Sequence, residues 1–444
     1  MVLRFLKSLY LSSRLYYLIF AIALMFMGSF WWNELYPIIW VLVFLIVLSI
    51  VVDISLLFRG NLFFAERLLP DKFSNSDLNK VVISLENGYS IKLKIEIIDE
   101  IPEQFQKRDF LKTALLNAGE KKEEDYFLQP YERGEYVFGK LNIYVQSLLG
   151  LVKRRYAFQD QQKVNVYPSI IQMKKYEFLA IDNRISGYGF KKIRRIGHTM
   201  EFEQVKDYVR GDDIRTINWK ATAKRGSLMV NQYQDEKSQA VYSIIDTGRV
   251  MKMPFEGLKL LDYAINSSLA FSNIALKKKD KVGLVTYTHE VTNFLPATNR
   301  PIQLNKILES LYAVDTQFKE TDLALLYAQL KRKVTRRSLI MLYTNFEHFS
   351  SLKRQLPYLK AIAKKHLLVV IFFENTELEE LLEKSPDNTP EIYDQIIARQ
   401  FKDDKERMLK ELTNHGIQAV LTPPKELSVQ TINKYLELKS RGLL

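Results

Sequence analysis

At 444 residues the chain is long enough for two or three domains, and its 47% apolar and 26% charged residues are those of globular material rather than of a disordered chain. It has no cysteine, which excludes disulfides, thiolate catalysis and cysteine-based zinc sites, and its five histidines (His198, His289, His348, His366 and His415) are scattered without metal-ligand spacing. A formal net charge of +13 suits nucleic acid or an anionic membrane surface, and the first fifty-odd residues favour the membrane.

Residues 1–60 predict a transmembrane helical hairpin. Leu15 to Trp32 (helix 15–32) carries no charge over eighteen residues, about 27 Å as a helix. Leu35 to Phe58 (helix 35–58) is interrupted only by Asp53, and Trp31, Trp32, Tyr36 and Trp40 cluster at the turn where an interfacial aromatic belt would lie. A cleaved signal peptide is the rival for the first run, but its apolar part is long for one and a second span follows at once. Arg4, Lys7 and Arg14 precede the pair, Arg59, Arg67 and Lys72 follow it, and the turn offers only Glu34. The positive-inside rule then puts both ends, and everything after residue 60, in the cytoplasm, which predicts a two-pass membrane protein. Asp53, about one turn from the end of its helix, is expected to be an interfacial, hydrated carboxylate rather than a functional intramembrane acid.

Residues 61–168 read as a β-sandwich of short antiparallel strands ending at Pro168. Lys80–Glu86 and Ser90–Ile98 flank Asn87-Gly88, a hairpin signal. Tyr126–Leu128, Gly134–Val145, Leu151–Phe158 and Val164–Tyr167 continue the pattern, which suits a spacer or docking module.

Residues 169–240 read as a linker, with a basic run at Lys191-Lys192 and Arg194-Arg195. Within it, Asp207 to Ala223 reads DYVRGDDIRTINWKATA, a mixture of acids, bases and the single tryptophan beyond the hairpin. Such a mixture predicts a half-buried polar network in which each charge needs a partner. Arg210, Arg215 and Lys220 alternate with Asp212 and Asp213, and Trp219 offers a large surface to anchor the segment. A structural clasp onto the following domain is the preferred expectation. The alternative is an enzyme using Asp207, Asp212 and Asp213 as acid and base, with His198 near in sequence. No phosphate loop, HExxH or GxSxG accompanies them. Nucleic-acid binding is the third option, without the aromatic interleaving such surfaces use.

Residues 241–444 alternate strands and helices. Strands are predicted at Val241–Asp246, Lys281–Thr288, Val291–Leu295, Ser338–Thr344, Leu367–Phe373 and Ile417–Leu421. Helices are predicted at Glu256–Leu276, Ile302–Ala313, Asp322–Lys333, Leu352–Lys365, Glu391–Thr413 and Val429–Lys439. This is a doubly wound, Rossmann-like α/β domain, so the whole chain is α+β multidomain. Ligands of such sheets bind at the carboxyl ends of central strands, here Asp246-Thr247 and Thr344-Asn345.

The motif Arg210-Gly211-Asp212-Asp213, Arg215 and Ile217-Asn218-Trp219-Lys220-Ala221-Thr222-Ala223, before a strand ending in Asp246, resembles the bacterial family known as domain of unknown function 58. Gly150-Leu151 followed by Lys153-Arg154-Arg155 also matches, although Ser147-Leu148 stands where Asp-Pro is common in that family. The resemblance implies a membrane-anchored protein whose last domain is a degenerate von Willebrand factor A-like fold. It further implies a cytoplasm-facing protein of the bacterial inner membrane that works with a MoxR-type AAA+ ATPase and other A-domain proteins in envelope assembly or stress functions. Because a hydrolase reading lacks parts, the expectation is an interaction scaffold whose A-like domain binds partner proteins at the strand tips, not an enzyme. An A-domain metal site needs Asp-x-Ser-x-Ser, a Thr and a second Asp. Here Gly248 and Val250 replace the serines after Asp246, Thr321 fits the threonine, and the neutral Asn345 replaces the second acid. No metal is expected from that set; Mg2+ at Asp246 and Thr321 is the one cofactor alternative. Arg249 is expected to be the local cation, paired with an acid of the signature.

Overall fold

The computed structural model describes residues 2–32, 34–59, 63–181, 200–210, 212, 214–235, 238–383 and 389–444. The chain divides into two units, Met1–Tyr167 and Pro168–Leu444.

The first unit opens with α1 (Val2–Ser8), β1 (Leu9–Leu11), α2 (Ser13–Gly28) and α3 (Leu35–Phe58). Helix α2 is shorter than the eighteen-residue run expected, because Ser29 donates its amide to Met25 O (2.9 Å) and its hydroxyl to Phe26 O (2.7 Å). Phe30, Trp31 and Trp32 then lie beyond the helix, exposed. Helix α3 has 24 residues and a mean hydropathy of 3.0 over its most apolar stretch, so it is long and apolar enough to cross a bilayer. Phe26 of α2 meets Tyr36 and Trp40 edge-on at ring-centre distances of 6.3 and 6.0 Å, a contact that brings α2 against α3.

The strands are β2 (Phe63–Leu68), β3 (Lys72–Ser74), β4 (Asn79–Asn87), β5 (Leu93–Asp99), β6 (Lys112–Leu116), β7 (Lys121–Leu128), β8 (Gly134–Phe138), β9 (Leu141–Gln146), β10 (Val152–Phe158) and β11 (Gln162–Tyr167). They form sheets of order β1-β10-β9-β5-β6, β2-β4-β7 and β3-β11-β8. Side chains alternate in and out, so Val81, Ile83 and Leu85 of β4 meet Ile95 and Ile97 of β5 and Ile143 and Val145 of β9 in one apolar core. Each such side chain contributes about 1.5–3 kcal/mol by leaving water. The Asn87-Gly88 hairpin does not form. β4 pairs with β2 and β7, whereas β5 pairs with β6 and β9. Both strands turn an apolar face to the same core, which places them in different sheets. Asn87 is buried at the crossover, donating its side-chain amide to Ile91 O (3.1 Å) and Asn117 O (2.7 Å).

Two charges expected at the membrane surface are buried instead. Arg67 bonds Asp99 at 3.0 Å, with both side chains fully buried, and donates to Gly139 O at 2.7 Å and Gln159 O at 3.2 Å. Asp53 is also fully buried. It accepts the Ser147 hydroxyl and the amides of Leu151 and Val152, the latter two at 3.0 Å. It is not hydrated: it fastens the foot of α3 to the turn before β10. On the other flank, β1 pairs with β10 from Leu9↔Arg154 to Leu11↔Val152, and the Ser12 hydroxyl donates to Gly150 O at 2.5 Å. Asp53→Ala strands three buried donors, each costing about 1–3 kcal/mol. Limited proteolysis of the detergent-solubilised variant is expected to cut the 147–152 turn about tenfold or more faster than in the native chain. Unchanged cleavage would deny the acid this role.

The second unit comprises α4 (Ile170–Ile181), β12 (Met200–Asp207), α5 (Trp219–Arg225), β13 (Met229–Asp235), β14 (Ala240–Asp246), the short hairpin β15 (Pro254–Phe255) and β16 (Leu258–Lys259), α6 (Leu260–Lys277), β17 (Lys281–Tyr287) and β18 (Val291–Thr298). It continues through α7 (Gln303–Tyr312), α8 (Leu323–Lys333), β19 (Leu339–Tyr343), α9 (Phe349–Lys365), β20 (Leu367–Phe373), α10 (Thr376–Glu383), α11 (Thr389–Asn414), β21 (Gln418–Thr422) and α12 (Leu427–Ser440). The sheet order is β18-β17-β14-β19-β20-β21, parallel except for β18. The first central strand, β14, has its next partner on one side and β19 on the other, so the topology reverses between them. Ile244, Ile340, Leu342, Val370 and Phe372 carry the core on the face covered by α8, α9 and α11.

Much of the expected linker 169–240 is regular structure. Helix α4 packs on α6 through Glu177, which accepts from Asn273 (2.7 Å) and pairs with Lys277 (3.1 Å). Those two donors, Asn273 first, hold the Glu177 carboxyl below its usual range. The basic run 191–195 lies outside the described residues.

Candidate functional site

The topological switch brings Asp246, at the end of β14, against Thr344, just past β19. Asp246 is fully buried, with Oδ1 accepting the Gly248 amide (2.8 Å) and Oδ2 the Thr344 hydroxyl (2.7 Å). Burial pushes its carboxyl up to about 6, opposed by Gly248, Thr344 and the Thr321 hydroxyl. The loop carrying Thr321 is tied over the strand tips by Gln317 N–H to Thr247 O (2.8 Å), Arg249 N–H to Lys319 O (3.2 Å) and Asp322 N–H to Thr288 O (2.9 Å). A Cβ at Gly248 would lie 2.6 Å from Thr321 Cγ2, so this close approach requires glycine. Asp322 caps α8 by accepting Ala324 N–H at 2.8 Å and Leu325 N–H at 3.1 Å.

Asn345, the next residue after Thr344, faces a different partner. Its side-chain oxygen accepts the Lys405 ammonium at 2.6 Å, and Phe346 O accepts the same ammonium at 2.8 Å. Burial pushes Lys405 down to about 8, with Glu347 opposing the shift. Beside it lies a cavity of about 240 Å³ at the carboxyl ends of β19 and β20, lined by Phe255, Phe346, Phe373, Leu378 and Phe401.

These side chains do not fit magnesium. Asp246 is held by N–H and O–H donors, Val250 offers no oxygen in its side chain, and a lysine ammonium occupies the Asn345 oxygen. Among the described residues no group of three or more His, Asp or Glu side chains is placed to hold a metal. Arg249 pairs with Glu347 at 3.4 Å, both exposed, and not with an acid of the signature. Both belong to the strand-tip loops, so the partner lies closer than any residue of 207–223 needed to reach.

The signature forms a small module of its own, in which β12 and β13 make a two-stranded ribbon. Asp212 accepts the Val209 amide and the Lys206 ammonium, each at 3.0 Å, and these, the amide first, hold its carboxyl below the usual range. Asn218 caps α5, accepting Ala221 N–H (3.0 Å) and donating to Asn231 (2.8 Å). Asp207 ends β12, exposed, and accepts the Ser227 hydroxyl at 3.2 Å. Arg215 lies in the turn Ile214–Thr216, and Arg210 and Lys220 are exposed. Gly211, Asp213 and His198 lie outside the described residues. Trp219 is not anchored in a pocket: it stands on the first turn of α5, 69% exposed, with Ile214 70% and Val209 62% exposed. Because ribbon and cap satisfy these polar groups locally, the module needs no burial of Trp219 to order it.

The strand tips named from sequence, Asp246-Thr247 and Thr344-Asn345, do converge. Lys405 was missed, although its signal is legible. Phe401, Met408 and Leu412 mark the inward stripe of α11, and Lys405 interrupts that stripe at helical spacing.

Residues 204–383 match the family described as "Protein of unknown function DUF58". The uncharacterized protein YeaD of Bacillus subtilis (strain 168) is 25% identical over 121 residues, which are 27% of this chain and 30% of that protein, so the chain spans less than a third of that relative's length. Among solved structures, the conserved hypothetical protein BatB from Bacteroides thetaiotaomicron aligns with a TM-score of 0.32 at 15% identity, covering 46% of this chain and all (100%) of that one. The CARDB domain of the PF1109 protein from Pyrococcus furiosus aligns with a TM-score of 0.17 at 18% identity, covering 23% of this chain and 91% of that one. The matched stretch, residues 204–383, holds both the signature and the centre of the sheet, and it is through this part of the chain that the similarity to the DUF58 family runs.

Proposed function

We propose that this chain is a membrane-tethered interaction scaffold without catalytic activity, which docks a MoxR-type AAA+ ATPase through its signature module. The carrying observation is how that module divides its residues. Asp212 is engaged by Lys206 and a backbone amide, while Val209, Ile214 and Trp219 stand exposed among basic side chains. Exposed aromatic and aliphatic groups rimmed by charge are the composition of a docking surface, and an acid already engaged by a lysine is a poor general base. The identity of the partner follows from the family resemblance.

In this reading α2 and α3 pass through the inner membrane as a pair and leave the sheets of the first unit and all of the second unit in the cytoplasm. The pairing of β1 with β10 and the grip of Asp53 on the turn before β10 support it, because they bring both ends of the helix pair to one strand. The sheet order and the Asp246–Thr344 contact at its switch point support a von Willebrand factor A-like fold whose strand tips bind protein.

The test is affinity capture from detergent-solubilised native membranes, with and without ATP, read by mass spectrometry. An AAA+ ATPase is expected with the native chain and is expected to fall about tenfold or more with Trp219→Ala, the loss typical of an interfacial tryptophan. Absence of any such ATPase under both conditions would overturn the reading.

A further inference from the structure

We propose that the cavity between the tips of β19 and β20 and the helices α10 and α11 binds a carboxylate borne on a compact apolar group, with Lys405 as its counter-ion. This site is independent of the signature module. Three observations converge on it. Its walls are mainly aromatic and aliphatic, from Phe255, Phe346, Phe373, Leu378 and Phe401. Among the described residues its cation is bonded only by neutral oxygens, those of Asn345 and Phe346, which use two of the three hydrogens of an ammonium and leave one to donate. Glu347, on the same wall, pairs with Arg249 at 3.4 Å and acts on that ammonium only through its charge, without a salt bridge.

A half-buried ammonium with no bonded counter-charge among the described residues carries a desolvation cost, and an anion that supplies one offsets it. One remaining donor matches a single carboxylate oxygen; a phosphate would leave most of its oxygens against apolar walls. The volume of about 240 Å³ equals roughly eight waters of the liquid. That admits a short acyl chain or one aliphatic residue, with the acid at the Lys405 end and the tail among the phenylalanines. Two sources share this chemistry: a free short-chain acid, and the carboxyl-terminal residue of a polypeptide.

Calorimetric titration of the purified full-length chain in detergent distinguishes them. The probes are hexanoate, hexanamide, and acetyl-Gly-Gly-Leu as free acid or as carboxamide. At least one acid is expected to bind about tenfold or more tightly than its amide, because only the acid supplies a charge-assisted hydrogen bond. The tighter of the two acids identifies the source. Lys405→Met is expected to abolish the preference for acid over amide, and Leu378→Trp, which fills the cavity and leaves the lysine in place, to abolish binding of both. Thermal unfolding of each variant checks its fold. The proposal is overturned if neither acid saturates below about 10 mM, if amides bind as well as acids, or if Leu378→Trp binds like the native chain.

Discussion

Asp99→Ala is expected to lower the stability of the first unit by about 3–5 kcal/mol, since it leaves the Arg67 guanidinium buried without its counter-charge. Arg67 cannot escape to water: Gly139 O and Gln159 O hold it, and its guanidinium lies 4.8 Å from the centre of the Phe138 ring. The pair itself is not a net source of stability at neutral pH. Burial raises the Asp99 carboxyl above its ordinary value, more than Arg67 and Tyr126 lower it. A raised folded-state pKa contributes stability below the unfolded pKa and loses it as pH rises through the folded one. Replacing both partners by apolar residues, Arg67→Met with Asp99→Leu, is therefore expected to stay within about 1–2 kcal/mol of the native chain. Chemical unfolding of the two variants makes the comparison. A single replacement as mild as the double one would sink the idea.

Asp246→Asn is expected to remove a pH dependence from the second unit. The native carboxyl is fully buried and titrates near 6 when folded, against about 4 when unfolded. The folded state thus takes up a proton between those values. The stability this contributes is complete below about pH 4 and disappears as pH rises through about 6. Two pK units correspond to about 2–3 kcal/mol. Native stability relative to the variant should decline by that amount from pH 4 to 7.5, so the variant gains on the native chain towards neutral pH. Hydrogen exchange along β14 at the two pH values measures the difference. A difference that does not change with pH would show that folding leaves the Asp246 carboxyl unshifted.

The α/β sheet was legible because its central strands are buried on both faces and read as unbroken apolar runs, as at Leu339–Tyr343 and Leu367–Phe373. Helix α10 escaped because its eight residues are too few to establish a period. In the first unit, alternation located β4 and β5 but could not say which sheet each joins, since an inward face looks the same from either side of the core. Asp53 and Arg67 were assigned to the membrane surface from their distance to the apolar run. Their true partners, Val152 and Asp99, lie far along the chain, and no local pattern announces them. Trp219 misled for the opposite reason. A tryptophan among charges reads as buried unless the ribbon and the Asn218 cap, which satisfy those charges without it, are known.

The union of β1 with β10 also bears on the order in which the protein is made. Leu11 emerges roughly 140 residues before its partner Val152. At a synthesis rate of about 5–20 residues per second it waits on the order of 10–30 s. During that interval α2 and α3 are complete, while the Asp53 carboxylate still lacks the amides that will receive it. The helices must therefore find their place before the sheet can close, and β10, arriving late, finishes both the β fold and the attachment of α3 in one step.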